Sequence, residues 1–210
     1  RAILEATEKY NYAQGAFNVN AVAQAKAVIE VHEMFRSAAI IQGADLANAF
    51  MGGRTDFANG TLEDKKIGAN NIAKAVKKYA ENSPIPVALH LDHGKTVESC
   101  VAAMDGGYTS VMIDDSSLPF EDNIALTREV VKLAHARGVT IEGELGVLAG
   151  VEDHVFAATS TYTNPLDAIR FIKATGVDAL AISYGTKHGA NKGANAVIRK
   201  EIAIATKVCL

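Results

Sequence analysis

The chain has 210 residues, 49% hydrophobic and 21% charged, with a formal net charge of −3, enough to bury one sizeable core. The near-neutral balance leaves no electrostatic footprint for nucleic acid or an anionic membrane surface, so neither is expected as a partner. No apolar run approaches the roughly 18 residues of a spanning helix and no signal peptide opens the chain, which makes the cytoplasm the expected location.

Taken in chain order, short apolar runs alternate with longer helical patterns. The expected strands are "GAFNV", "AAIIQ", "PVALHL", "TSVMI", "VTIEGE" and "VDALAIS". After the first of them, Val22, Ala25, Val28, Ile29 and Phe35 keep a helical spacing, as do Ile72, Ala75, Val76 and Tyr79 before the third. Pro119, Glu121 and Asp122 open a further helix that stops near Gly138, and Asn164 with Pro165 reads as cap and first position of one that stops at Gly176. Repeated βα units of this kind predict an α/β protein with a parallel sheet, in one domain over 1–210. The chain starts at Arg1 and ends inside "KEIAIATKVCL", which reads as a helix still running, so truncation at both ends is expected. Cys100 and Cys209 lie outside any CxxC pair and are expected to be reduced, and buried or inert.

Six βα units suit either an open doubly wound sheet or most of an eight-stranded barrel. A nucleotide-binding sheet would carry G-x-G-x-x-G after its first strand, which "GAFNVNAVAQ" does not provide. Polar residues instead follow one strand after another: Asn18 and Asn20, Asp92 and His93, Asp114, Glu142 and Glu144, then His188. A barrel gathers such strand ends around one axis, and that favours the barrel.

Within "ALHLDHG", His90 and Asp92 point the same way from a strand, and His93 falls at the break before Gly94. A lone histidine is more often a satisfied core or surface residue. Here His188, in the glycine-rich "YGTKHGANKG", supplies a second imidazole from another strand end, a plausible pair for a borderline metal such as zinc. Asp114 and Glu144 could bind a second metal or orient the histidines, against the plain alternative of solvated strand ends. Glu152 follows Ala149 and Gly150 and could swing in as an acid or base, although exposed loop glutamates are common. The loop with Lys187 and Lys192 could cradle a phosphate on its backbone N–H groups. His32, His135 and His154 carry no comparable signal.

Taken together, "AFNVN", "ALHLDHG", "VMIDDSSLPFEDN", "EGELG", "GVEDHV", "YTNP" and "AISYGTKHGANKG" resemble the class II, metal-dependent fructose-bisphosphate aldolases over nearly the whole chain. The resemblance implies a TIM (β/α)8 barrel, of which about six units are present and the last two missing. It implies cleavage of fructose 1,6-bisphosphate to dihydroxyacetone phosphate and glyceraldehyde 3-phosphate by a homodimer or homotetramer. It implies His93 and His188 as ligands of a catalytic zinc and Asp114 and Glu144 as carboxylates around a second or alternative metal position. Asp92 would handle the proton on the aldehyde oxygen and Glu152 the carbon-bound proton. Asn18, Gly189 and Lys192 would bind substrate, the last two at a phosphate beside a monovalent cation, Na⁺ or K⁺. The family's third zinc histidine and its eighth strand fall outside this chain, and Ala44 stands where many members have a phosphate-binding serine. That substitution weakens the case for a bisphosphate specifically; tagatose 1,6-bisphosphate or another ketose phosphate is the alternative substrate. A metal-dependent barrel hydrolase, which usually has His-x-His on its first strand, and a non-catalytic binding fragment are the remoter readings. Asp115, where a small residue is usual, has no explanation.

Overall fold

The protein is described by a computed structural model that covers residues 1–148, 150–152, 155–157, 161–189 and 197–210, with backbone alone at 150–152 and 155–157. The chain packs as two groups of residues, the first formed by Arg1–Met112 with Leu133–Thr140 and the second by Ile113–Lys132 with Ile141–Leu210.

In the first group, helix α1 (Ala2–Tyr10) precedes strand β1 (Ala16–Asn18), helix α2 (Val22–Phe35) and strand β2 (Ala39–Ala44). Helix α3 (Asp45–Met51), a 3₁₀ turn at Phe57–Asn59 and helix α4 (Leu62–Ala80) lead to strand β3 (Val87–Gly94), helix α5 (Val97–Gly106) and strand β4 (Ser110–Ile113). The strands lie in the order β1-β2-β3-β4. The pairings of β2 with β1 and with β3 are parallel, with Asn18 opposite Gln42, Gln42 opposite His90 and Ala44 opposite Asp92. Both neighbours and both faces of β3 are covered, and its residues from Leu89 to Gly94 are buried, which explains why its sequence is almost continuously apolar until the histidines.

Helix α4 starts at a reciprocal cap: Thr61 accepts from the Asp64 N–H, and the Asp64 carboxylate accepts from the Thr61 N–H. Its buried face is Gly68, Ala69, Ile72 and Val76, a helical stripe turned to the core. Gly68 has no alternative, because a Cβ there would collide with the Asn48 carbonyl. Helix α5 is capped by Thr96, whose hydroxyl accepts from the Ser99 N–H at 3.1 Å.

In the second group, helix α6 (Phe120–His135) precedes strand β5 (Thr140–Leu145), which pairs in parallel with strand β8 (Ala179–Ile182). Between them come the antiparallel strands β6 (Gly150–Glu152) and β7 (Val155–Ala157), then helix α7 (Pro165–Thr175); helix α8 (Lys200–Val208) follows β8. The Asn164 side chain accepts from the Leu166 N–H at 2.9 Å and Gly176 closes α7 at φ 78°, as the sequence predicts. The Asp178 carboxylate accepts from the Ile141 N–H at 3.0 Å and fixes the start of β5 against β8.

Each of the six expected runs contains a strand, and the helices fall where the spacing places them. Two expectations are corrected. Strand β3 runs on through Gly94, so His93 is a strand residue. Strand β8 stops at Ile182 and leaves His188 in the loop beyond it. Cys209 is exposed, since it ends the last turn of α8 rather than facing a core, while Cys100 is buried. The β6–β7 pairing lies in the segment read as a loop; three-residue strands are too short for an alternation pattern to register.

Candidate active site

The end of β3 concentrates the ionisable residues of the first group. His90, Asp92 and His93 are all buried, between 6% and 9% exposed. His90 and Asp92 project from one face of the strand, opposite Gln42 and Ala44 of β2. The His90 Nδ1 lies 2.8 Å from the Ser110 hydroxyl on β4. Burial pushes the His90 imidazole down to about 4, with the Asp92 charge opposing that shift and His93 adding to it, so at neutral pH this ring is uncharged.

Asp92 is oriented from the end of β1, two strands away. Asn18, the last residue of β1, donates from Nδ2 to Asp92 Oδ2 at 2.9 Å. The other carboxylate oxygen, Oδ1, lies 3.9 Å from His93 Nε2. His93 adopts φ 45°, the left-handed region, at a cost of about 1 to 2 kcal/mol for a residue other than glycine. Such a conformation persists only where its surroundings over-determine it. Gly94 contributes: a Cβ there would lie 2.6 Å from the Met112 carbonyl, so the strand end packs tightly on its neighbour.

In the second group, Asp114 follows β4 directly and Glu144 lies near the end of β5, at 4% and 5% exposed. Asp114 Oδ1 accepts from the backbone N–H and hydroxyl of Ser116, at 3.2 and 2.7 Å. Asn123 Nδ2 donates to the Glu144 carbonyl at 3.0 Å, tying α6 to β5 where the side chain emerges. Donor oxygens of Asp114 and Glu144 lie within 4.8 Å of each other. Two buried carboxylates at that separation suit a hard or borderline divalent cation, and imidazole is a ligand type that commonly completes such a set.

Of the other expected site residues, His188 and Gly189 sit in the loop after β8, His188 half-buried and Gly189 at φ 84°, a conformation that needs glycine. The side chain of Glu152 and the whole of Lys192 lie outside the described residues. Asp115 is buried at 8% exposure, and nothing in the structure explains it. Ser116 was detectable in principle, because Asp-x-Ser after a strand is an Asx-turn pattern. Ser110 and Asn123 act across long sequence separations and carry no local signal.

A family model described as fructose-bisphosphate aldolase class-II matches residues 1–207. The chain is 45% identical over 188 residues to the fructose-bisphosphate aldolase of Treponema pallidum, covering 88% of this chain and 53% of that protein. It is 40% identical over 185 residues to that of Geobacillus stearothermophilus, covering 87% and 59%. The chain thus spans little more than half the length of these relatives. The crystal structure of fructose-bisphosphate aldolase from Campylobacter jejuni superposes with a TM-score of 0.77 at 25% identity, covering 100% of this chain and 65% of that one. The alternation of parallel strands and helices is therefore that of a partial TIM barrel. With a family match along almost its entire length and with buried carboxylates and imidazoles at successive strand ends, the chain belongs to the class II fructose-bisphosphate aldolase family.

Proposed function

We propose that the whole protein is a zinc-dependent aldolase that reversibly cleaves fructose 1,6-bisphosphate to dihydroxyacetone phosphate and glyceraldehyde 3-phosphate. The observation that carries this reading is the family match over residues 1–207. Residues 1–210 would form one barrel domain, in a cytoplasmic homodimer or homotetramer. Among the described residues, no helix is long and apolar enough to cross a membrane.

His93 and His188 would hold the zinc, with Asp114 and Glu144 at a second or alternative divalent position. When bound, zinc would supply Lewis-acid stabilisation of the negative charge left on the ketone half of the substrate as the carbon–carbon bond breaks. Asp92 would take the proton of the C4 hydroxyl during cleavage and return it in condensation. Its orientation by Asn18 supports this role, since a general base needs a fixed lone-pair direction. Glu152 would return a proton to the carbon of the dihydroxyacetone half, and Gly189 and Lys192 would hold that half's phosphate beside a monovalent cation.

Ala44 is buried at the end of β2 and has no hydroxyl to offer a second phosphate, which weakens the case for a bisphosphate and supports a ketose monophosphate as a second reading, beside tagatose 1,6-bisphosphate as the close alternative. Steady-state cleavage assays of the full-length protein on both bisphosphates and on a ketose monophosphate decide between them. Chelation is expected to abolish activity and zinc to restore it. A covalent lysine adduct trapped by borohydride with substrate would overturn the assignment.

A further inference from the structure

Just past the end of β2 lies a buried polar cluster that the proposed reaction does not use. Asp45, the first residue of α3, is 2% exposed. Its Oδ2 accepts from Lys65 Nζ on α4 at 2.7 Å and from the Ser99 hydroxyl in the first turn of α5 at 2.9 Å. Its Oδ1 is buried with no hydrogen-bond partner among the described residues. A buried carboxylate normally satisfies both oxygens, so one that gives two donors the same oxygen and leaves the other bare is held by the geometry of the three helices it joins.

The rest of the cluster grips the same turn. Tyr108 donates to Asn48 Oδ1 of α3 at 2.7 Å, and a Cβ on Gly43 would collide with the Tyr108 hydroxyl. Gly43 and Ala44 immediately precede Asp45, and they lie opposite Leu91 and Asp92 of β3. Ser99 is in the helix that the chain enters just after His93 and Gly94. The Asp45–Ser99 bond therefore joins the exit of β2 to the exit of β3, and between those two anchors sits the left-handed backbone of His93.

We propose that Asp45, through its bond to Ser99, is a positioning residue for the end of β3: it holds His93 in its left-handed conformation and Asp92 in register with β2. The consequence for zinc rests on the proposed role of His93 as a ligand; the consequence for the backbone does not.

The test uses the full-length protein and the variants S99A, D45A and D45N/K65M. Three quantities are read: zinc affinity by chelator competition, amide hydrogen exchange over 92–96, and kcat and KM separately. S99A and D45A are expected to weaken zinc binding by about 10- to 100-fold, the range typical of groups that orient metal ligands, to speed exchange over 92–96, and to lower kcat more than they change KM. D45N/K65M keeps an acceptor for Ser99 and leaves no unpaired buried charge, so it guards against misfolding of D45A and is expected to keep zinc affinity within about threefold of the parent, well inside that range. The proposal is overturned if S99A and D45A lower only the melting temperature, with zinc affinity and exchange over 92–96 at parental values. If the parent itself binds no zinc, the ligand role of His93 fails, while unchanged exchange in S99A would separately overturn the positioning role.

Discussion

Two carboxylates stand at the ends of adjacent strands in the same sheet and live in opposite circumstances. Asp45, just past β2, is paired with an ammonium and a hydroxyl on one oxygen. Asp92, near the end of β3, receives the neutral amide of Asn18. Both are buried, at 2% and 7% exposed, so burial does not separate them; the partner does. A carboxylate matched by a fixed cation has its charge committed to holding helices together, and removing one partner of such a pair leaves an uncompensated charge. One held by a neutral donor is aimed without being neutralised, which suits a group that must take up and release a proton. The difference supports a division in which the β2 end is frame and the β3 end carries the proposed chemistry.

The largest expected effect tests that division on the chemistry side. In the full-length protein, Asp92→Ala is expected to lower kcat by about 10²- to 10⁴-fold, the usual span of general acid–base catalysis, with zinc content near normal. His93→Ala is expected to lose the metal. Zinc content by atomic absorption, set beside kcat, reads both; equal loss of metal in the two variants would erase the distinction between base and ligand.

The β3 end was legible in the sequence because its signal is local. Two histidines and an aspartate within four positions, where an apolar run meets Gly94, need no tertiary information to be noticed. The strands and the Asn164–Gly176 helix were legible for the same reason, since period and capping act over a few residues. The β2 end was not. Asp45, Lys65 and Ser99 are separated by 20 and 54 positions in their two contacts with Asp45 and lie on three helices, so nothing in the neighbourhood of any one announces the others. The Asn18–Asp92 bond, 74 positions apart, was hidden in the same way, and Asn18 read as a substrate contact.

A second prediction concerns His90, which shares the buried face with Asp92 but is held near a hydroxyl. Burial lowers its imidazole from the ordinary 6.5 to about 4. In the unfolded chain the ring takes a proton as pH falls below about 6.5, whereas in the folded chain it resists until about 4, so the unfolded state binds more protons in that window. Stability from this group is therefore fully present above pH 6.5 and is lost as pH falls toward 4, by about 3 kcal/mol in total. Urea unfolding of the zinc-free protein at pH 7, 6, 5 and 4 measures it. His90→Gln should flatten the dependence across that window; an unchanged slope would show that the ring is not the group responsible.

The smallest expected effect decides what Asn18 does, and with it whether the β3 end is aimed by its neighbours or only by its own strand. Asn18 is itself exposed while its amide reaches the buried Asp92, so losing it opens no cavity and should leave the fold intact. A hydrogen bond to a charged group contributes about 1.5 to 3 kcal/mol when sheltered, and less at an exposed donor, so about 1 kcal/mol is expected here. If Asn18 aims Asp92, that loss falls on the transition state: Asn18→Ala should lower kcat by about fivefold and leave KM near the parental value. If Asn18 instead holds substrate uniformly, KM should rise while kcat stays. Asn18→Asp separates the cases further, because it sets a second carboxylate against Asp92. That like-charge contact should depress kcat below the alanine variant if the two side chains still face each other, and a kcat equal to that of Asn18→Ala would show that they do not.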